Sequence, residues 1–196
     1  MTALTATLDH PAMAVTPGTG LPVLWHWLYF LPMHRQSEIG DDGHPRRGGF
    51  MPPVPLPRRM WAGGQLQFNT PLRVGDVVQR RSTIADISVK QGRSGPLVFV
   101  KVRHELRVAG AAEPALNDSH DIVFRAAQQP GDTPPPPAPA PTGAPWQREI
   151  LPDEVQLFRY SALTFNGQLQ ADGKTVKLWA QDHQGWLTME VAATLR

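Results

Sequence analysis

The sequence contains no cysteine, which excludes disulfides, thiolate metal sites and cysteine nucleophiles. It also lacks a strong imbalance of charge, because 19 Lys+Arg against 17 Asp+Glu leave a formal net charge of +2. A chain so close to neutral, without a long basic run, is not typical of a nucleic-acid-binding protein. The composition, 41% hydrophobic and 18% charged over 196 residues, fits one globular domain, or one domain plus a fragment, in a reducing compartment.

Long hydrophobic runs are also missing. The longest apolar stretch, residues 21–33, is short for a membrane span and is interrupted by Pro22, His26 and Pro32. Residues 1–13 lack the basic start and the apolar core of a secretory signal. We therefore expect a cytoplasmic protein that binds neither a membrane nor nucleic acid.

Motifs for metals and nucleotide cofactors are missing as well. The seven histidines are scattered without the short paired spacings of a zinc site. The sequence has neither a Gly-x-Gly-x-x-Gly motif nor a phosphate-binding loop. We expect no metal and no bound cofactor.

Proline is concentrated in one segment, since eight of the 21 prolines lie within residues 130–145. Proline fixes φ and lacks an amide donor, so this run cannot join a β ladder and predicts an extended linker. The predicted division is a flexible N-terminus (1–20), a first domain (21–127), the linker (128–145) and a C-terminal segment (146–196).

Hydrophobic alternation before the linker predicts an antiparallel sheet. In residues 97–108 the positions Val98, Val100, Val102, His104 and Leu106 share one face. Further strands are predicted at 65–69, 77–89 and 120–125, with a hairpin turn at 92–95 and a loop at 109–118. Strands joined by turns, rather than by helices, indicate antiparallel pairing.

The segment after the linker is too short for a second complete domain of ordinary size. It predicts a strand at 146–151 and then a helix that starts at Pro152-Asp153-Glu154, where proline and acids suit the first turn. A final hairpin is predicted from strands 175–181 and 186–195.

Several motifs resemble one enzyme family. They are RYSALTFNG (159–167), LWHWLYFLP (24–32), GHPRRGGFMPPVPLPRRMWAGG (43–64), TPLRVGD (70–76), GRSGPLVFV (92–100) and KLW (177–179). Together they resemble the MaoC-like hot-dog hydratases and dehydratases that act on acyl thioesters, in particular the branch with mesaconyl-C4-CoA hydratase and the mitochondrial 3-hydroxyacyl-thioester dehydratases.

The resemblance implies an α+β hot-dog fold, in which an antiparallel sheet wraps around a helix. It further implies a complete N-terminal unit of the dehydratase type at 21–127 and an incomplete, catalytic MaoC-like unit at 146–196. The expected activity is reversible addition of water to an enoyl-CoA thioester, with coenzyme A entering as part of the substrate. The acyl-CoA is the expected partner, in a homodimer or a hetero-oligomer.

The resemblance also assigns site residues. Asn166 stands where related hydratases carry the residue that orients water, and the general base is expected five residues later, where this chain has Ala171. The four arginines that flank the Pro-rich loop, residues 48–57, suit the phosphates of coenzyme A. The substrate-binding residues so predicted are Arg46, Arg47, Arg58, Arg59, Trp61, Phe165 and Gly167.

No other histidine has a spacing that identifies it as the base. His104 shares the apolar register of its strand, so we interpret it as a core residue, whereas His44 lies in a loop that can approach a ligand. The others are interpreted as packing (His26), a turn tip (His183), or residues with no evident partner (His34 and His120).

Two alternatives to an active hydratase therefore stay open. One is a catalytically impaired pseudoenzyme that binds acyl-CoA or completes a site with a partner subunit. The other is a thioesterase, for which the sequence offers no identifiable carboxylate. An incomplete second unit is also expected to expose strand edges and apolar residues such as Leu178, Trp179 and Trp186, and so to favour association.

Overall fold

The structure is a computed structural model that describes residues 1–40, 42–92, 95–127 and 151–166, and the backbone of 176–183 and 186–193. Its helices are α1 (Thr2–Thr7) and α2 (Glu154–Thr164), with 3-10 turns at Trp25–Leu28 and Gln36–Glu38. Its strands are β1 (Arg58–Phe68), β2 (Val78–Gly92), β3 (Gly95–Val108), β4 (Leu116–Arg125), β5 (Val176–His183) and β6 (Trp186–Ala193).

The strands form one sheet in the order β2-β3-β4-β1-β6-β5, and each neighbouring pair is antiparallel. β2 and β3 make a hairpin that closes at Gly92 and Gly95, at the predicted turn. An antiparallel sheet with few helices confirms the predicted α+β hot-dog class. Within the described residues no helix is both long enough and apolar enough to cross a membrane.

The boundaries of two strands differ from those predicted. β1 begins at Arg58 rather than at residue 65, and β4 begins at Leu116 within the predicted loop 109–118. The added residues of each strand pair with a neighbouring strand, and β4 has a neighbour on each side, β1 and β3. Cross-strand pairing therefore sets these boundaries, and local alternation does not reveal it.

The N-terminal segment that we expected to be flexible contains α1, which packs against α2. Leu4 of α1 is buried, and Gln156 Nε2 of α2 donates to the Thr7 carbonyl at 3.1 Å. The hydroxyl of Thr7 donates to the Ala3 carbonyl one turn earlier at 2.8 Å, which satisfies it within the helix. Tertiary contact with α2 thus orders a short helix of weak intrinsic propensity.

The predicted start of α2 is confirmed by its cap, because the Asp153 carboxylate accepts from the Gln156 amide at 2.7 Å. The final hairpin, β5–β6, joins the sheet where β6 pairs with β1 at Leu66 and Gln67. The Pro-rich linker and most of the predicted strand 146–151 lie outside the described residues.

One face of the sheet carries two separate apolar clusters. The first consists of Val54, Val100, Val102, Ile122 and Phe124, with Val54 contributed by the Pro-rich loop. The second consists of Leu66, Leu72, Leu106, Ala115 and Leu116. On β4 the two clusters are separated by Asp118 and His120, whose side chains alternate onto the same face.

Candidate active site

A group of polar side chains occupies the gap between the two apolar clusters. Asp118 stands directly opposite His104 of β3, and His104 in turn stands opposite Ser82 of β2. The turn Trp25–Leu28 covers this part of the sheet. We call the group the polar cluster; its members are His26, Trp27, Ser82, His104, Asp118 and His120.

Asp118 is the centre of the polar cluster and is only 2% exposed. Its Oδ2 accepts from Trp27 Nε1 at 2.9 Å and lies 3.3 Å from His26 Nε2. Its Oδ1 lies 3.0 Å from His120 Nε2 without a well-aligned hydrogen bond. A carboxylate buried this deeply is retained because donors surround it.

These contacts settle the ionisation of Asp118. Burial alone raises the pKa of a carboxyl, but the imidazoles of His120 and His26 and the Trp27 indole outweigh it and hold the pKa of Asp118 below its usual range. The polar cluster therefore contains a fixed negative charge at neutral pH. The carboxylate of Asp118 is therefore the hydrogen-bond acceptor that faces the N–H groups of the neighbouring histidines.

His104, in contrast to the charged Asp118, is held in its neutral form. Burial, and then the neighbouring His120, lower the pKa of His104 to about 4, although Asp118 opposes the shift. Its Nδ1 lies 2.7 Å from Ser82 Oγ, and its ring meets the His120 ring edge-on at 5.1 Å between centroids. His104 is thus neutral at physiological pH, and it is only partly a core residue.

The prediction that His34 and His120 have no partner is wrong. His34 Nδ1 lies 3.8 Å from Glu38 Oε2, and His120 contacts both Asp118 and His104. For His120 the sequence did contain a signal. Asp118, His120 and Ile122 are spaced two residues apart, so their side chains share one face of a strand. It was missed because a loop was predicted to continue to residue 118.

A small cavity opens beside His26, between the segment that precedes the 3-10 turn and the end of β1. Its volume is about 220 Å³. Its lining is mostly apolar and consists of Leu21, Pro22, Val23, His26, Phe68, Asn69, Thr70, Pro71, Leu72 and Leu116. We call it the His26 cavity.

The predicted coenzyme A arginines occupy different environments. Arg47 donates to the carbonyls of Val54, Leu56 and Pro57, and its guanidinium stacks over Phe124 at 4.9 Å. These contacts close the Pro-rich loop onto the first apolar cluster, so Arg47 has a structural task. Arg46, in contrast, is exposed.

Arg58 and Arg59 begin β1, opposite Arg125 and Phe124 of β4. Burial lowers the pKa of Arg59, and the Asp42 carboxylate partly offsets that effect. Burial, followed by the charge of Arg59, also lowers the pKa of His44 in the same loop. The loop therefore gathers positive charge around a largely neutral imidazole.

Trp61 is 37% exposed and lies where the β1–β4 register shifts. Its indole rests beside Gly64, where a Cβ atom would meet the ring at 3.0 Å. Gly64 itself pairs with His120. The absence of a side chain at Gly64 thus lets the predicted substrate-binding indole approach the strand that carries the polar cluster.

The predicted water-orienting residue, Asn166, follows the end of α2 and is exposed. Phe165, also exposed, caps the helix with a left-handed backbone (φ 54°), and the Asn166 amide donates to the Ser161 carbonyl at 2.9 Å. Gly167 lies outside the described residues. α2 also contacts the turn Trp25–Leu28, so the helix that ends before Asn166 touches the element that carries His26.

The chain is similar to several known proteins. Mesaconyl-C(4)-CoA hydratase of Chloroflexus aurantiacus is 46% identical over 169 residues, which is 84% of this chain and 58% of that protein. HtdX from Mycobacterium tuberculosis gives a TM-score of 0.47 at 13% identity, over 96% of this chain and 88% of its own. A MaoC-like dehydratase from Phytophthora capsici gives 0.41 at 15% identity, over 65% and 45%.

The chain thus spans little more than half the length of the curated relative that it matches. The profile of the hydroxyacyl-thioester dehydratase type 2 family matches residues 24–168, a range that includes the polar cluster, the Pro-rich loop, α2 and Asn166. The chain belongs to the hydroxyacyl-thioester dehydratase type 2 family.

Proposed function

We propose that this chain binds an acyl-CoA thioester and takes part in the reversible addition of water to an enoyl thioester. The observation that carries the proposal is the family match, which spans residues 24–168, from the turn above the polar cluster to the Asn166 region. The similarity to a mesaconyl-C(4)-CoA hydratase favours a short branched or dicarboxylic acyl group.

The reaction requires three groups. A base whose pKa lies near the working pH activates water, and a polar group orients that water. Hydrogen-bond donors stabilise the enolate oxygen that forms at the thioester carbonyl. Asn166 is our candidate for the orienting group. The candidates for binding the coenzyme A portion are the exposed Arg46, together with Arg58, Arg59 and Trp61 at the start of β1. Phe165 and Gly167 are candidates for the acyl contact.

A second candidate function is a catalytically impaired pseudoenzyme that binds acyl-CoA or completes a site with a partner subunit. The observation that favours it is Ala171, which stands where the family resemblance places the general base. Removal of a general base typically lowers the rate by about two to four orders of magnitude. The two candidates share ligand binding and differ in turnover.

We also propose that the chain associates with a second copy through α2. Val155 and Phe158 lie about one turn apart on α2 and are 64% and 59% exposed, and Phe165, directly after the helix, is 54% exposed. An apolar stripe of this kind is unusual on a monomer surface. A second copy of the chain offers the same apolar surface and can cover the stripe.

The test of the proposed function is loss of enoyl-thioester absorbance with mesaconyl-CoA and with crotonyl-CoA, together with binding of both compounds by calorimetry. Turnover of roughly 1–1000 per second supports the hydratase. Binding without turnover supports the pseudoenzyme. Absence of both binding and turnover contradicts the proposal.

A further inference from the structure

The His26 cavity has the size and the lining of an acyl subsite. Its volume, about 220 Å³, is below the roughly 300–1,000 Å³ of pockets that hold a whole drug-sized ligand. It therefore admits a short acyl group but not the nucleotide of coenzyme A. The apolar lining is interrupted by few polar groups, and His26 is the residue among them whose side chain can take up and release a proton.

His26 is held in a defined orientation. Its Nε2 lies 3.3 Å from Asp118 Oδ2, and the same oxygen accepts from the adjacent Trp27 indole. Because Asp118 is ionised, this geometry favours the tautomer in which Nε2 carries the proton and Nδ1 the lone pair. A carboxylate that fixes the tautomer of a neighbouring imidazole is the arrangement that makes histidine a base in hydrolases.

The backbone before His26 is strained. Leu24 has φ 71°, in the left-handed region, although it carries a side chain. Such a conformation is unfavourable in a residue other than glycine, because its Cβ approaches the following carbonyl oxygen. The surrounding packing retains it, and it starts the turn that sets His26 over Asp118 and against the cavity.

We propose that His26, backed by Asp118, is a catalytic base for a short acyl thioester whose reacting carbons lie in the His26 cavity. This inference rests on the proposed function and adds a residue for the step that Ala171 leaves open. The charged and titratable groups around the pair are His120 on the same strand as Asp118, His104 of β3 and Arg80 of β2.

The proposed step is balanced. His26 Nδ1 takes a proton from water as the water oxygen forms a bond to C3 of the enoyl group. The C2–C3 π electrons shift to give an enolate with its charge on the thioester oxygen. The enolate then collapses as the imidazolium returns the proton to C2. One water molecule is added, and His26 is neutral again.

The experiment compares His26→Gln with His34→Gln, a matched change at an exposed histidine outside the cavity. We expect His26→Gln to lower kcat for crotonyl-CoA or mesaconyl-CoA by about 10²–10⁴-fold, and His34→Gln to retain wild-type kcat. The residual activity of His26→Gln is expected to lose the acid limb of the pH–rate profile. A merely structural role of His26 does not remove that limb.

Because His26 is buried, its substitution is expected to lower stability as well, and two further measurements keep the test decisive. Asp118→Asn preserves the shape of the side chain and is expected to lower kcat at least tenfold, as the wrong tautomer is then stabilised. In the wild-type protein, the imidazole nitrogen resonances of His26 are expected to shift on addition of crotonyl-CoA, while those of His34 do not.

The outcomes separate this inference from the proposed function. Turnover that survives in His26→Gln with an unchanged pH profile overturns the base assignment alone. Binding of both thioesters without turnover in the wild-type chain also overturns it and leaves an acyl-CoA binder. Failure of both thioesters to bind overturns the proposed function together with the inference.

Discussion

Ser82 and His104 face each other across the β2–β3 hairpin, with Ser82 Oγ 2.7 Å from His104 Nδ1. The hydroxyl occupies one ring nitrogen, and the His120 ring lies edge-on against the same imidazole. Burial, and then the neighbouring His120, keep His104 in its neutral form inside the polar cluster. It is also the place where the polar cluster responds to pH.

The first prediction concerns acid stability. The pKa of His104 falls from 6.5 to about 4 on folding, so between these values the unfolded chain binds a proton that the folded chain does not. The stability that depends on a neutral His104 is fully present above pH 6.5 and is lost as pH falls towards 4. We expect the urea midpoint of the wild-type protein to decline over this window.

His104→Gln keeps an amide for Ser82 and removes the titration, so its urea midpoint is expected to decline less between pH 7 and pH 4.5. Some decline remains because the pKa of His44 is also lowered. His34→Gln is the control and should follow the wild-type curve. The lowered pKa of Asp118 affects stability only below the ordinary pKa of 3.8, which is outside this window. Equal slopes for His104→Gln and wild type would contradict the prediction.

The second prediction uses two adjacent glycines of β1. A Cβ at Gly64 would meet the Ser119 carbonyl oxygen and the Trp61 ring at 3.0 Å, whereas a Cβ at Gly63 has nothing within 4 Å. Gly64→Ala is therefore expected to lower the free energy of unfolding by about 1–3 kcal/mol. Gly63→Ala is expected to be neutral or to raise it by up to about 1 kcal/mol.

Denaturant unfolding of both variants provides the measurement. If Trp61 contributes to the thioester site, Gly64→Ala should also weaken crotonyl-CoA binding, and Gly63→Ala should not. Equal stability of the two variants would show that the Gly64 contact relaxes without cost.

The sheet was largely predictable because alternation is a local signal. The register of residues 98–106 placed His104 on the same face as Val102 and Leu106, as the structure confirms. The start of α2 was predictable for the same reason, since proline and acids at a first turn act within a few residues. Neither prediction depended on contacts between distant segments.

The polar cluster was not predictable, because it depends on distant contacts. His26 and Asp118 are 92 residues apart in sequence, and a histidine beside two tryptophans reads equally well as packing. Asp118 lies near the start of a strand that both neighbours stabilise through pairing. Only the strand order brings the turn Trp25–Leu28 over that residue.

The third prediction separates structural from ligand-binding arginines. Arg47→Gln removes donors from the carbonyls of Val54, Leu56 and Pro57 and is expected to lower the free energy of unfolding by about 1–3 kcal/mol. Arg46→Gln changes an exposed side chain and is expected to alter stability by less than about 0.5 kcal/mol.

Coenzyme A affinity shows the converse pattern if Arg46 contacts a phosphate. Calorimetric titration with crotonyl-CoA is expected to give a larger dissociation constant for Arg46→Gln, with a weaker dependence on salt than in the wild-type protein. Unchanged affinity in Arg46→Gln would remove this residue from the proposed coenzyme A site and leave Arg58 and Arg59 as the candidates.

The last prediction tests association through α2. Phe158 of the apolar stripe is 59% exposed, and Phe50 of the Pro-rich loop is 54% exposed. The two side chains are thus alike in size and exposure and differ in whether they lie on the stripe. Substitution by glutamine removes apolar surface in both cases but affects a helix-mediated dimer only at Phe158.

Sedimentation at micromolar concentration is expected to show a dimer for the wild-type protein and for Phe50→Gln, and a shift towards monomer for Phe158→Gln. Buried aromatic residues near the centre of an interface typically contribute about 1–4 kcal/mol, so the dissociation constant should rise by at least about fivefold. A wild-type monomer at these concentrations would contradict the proposed contact. Equal weakening by both variants would indicate general loss of solubility rather than a specific surface on α2.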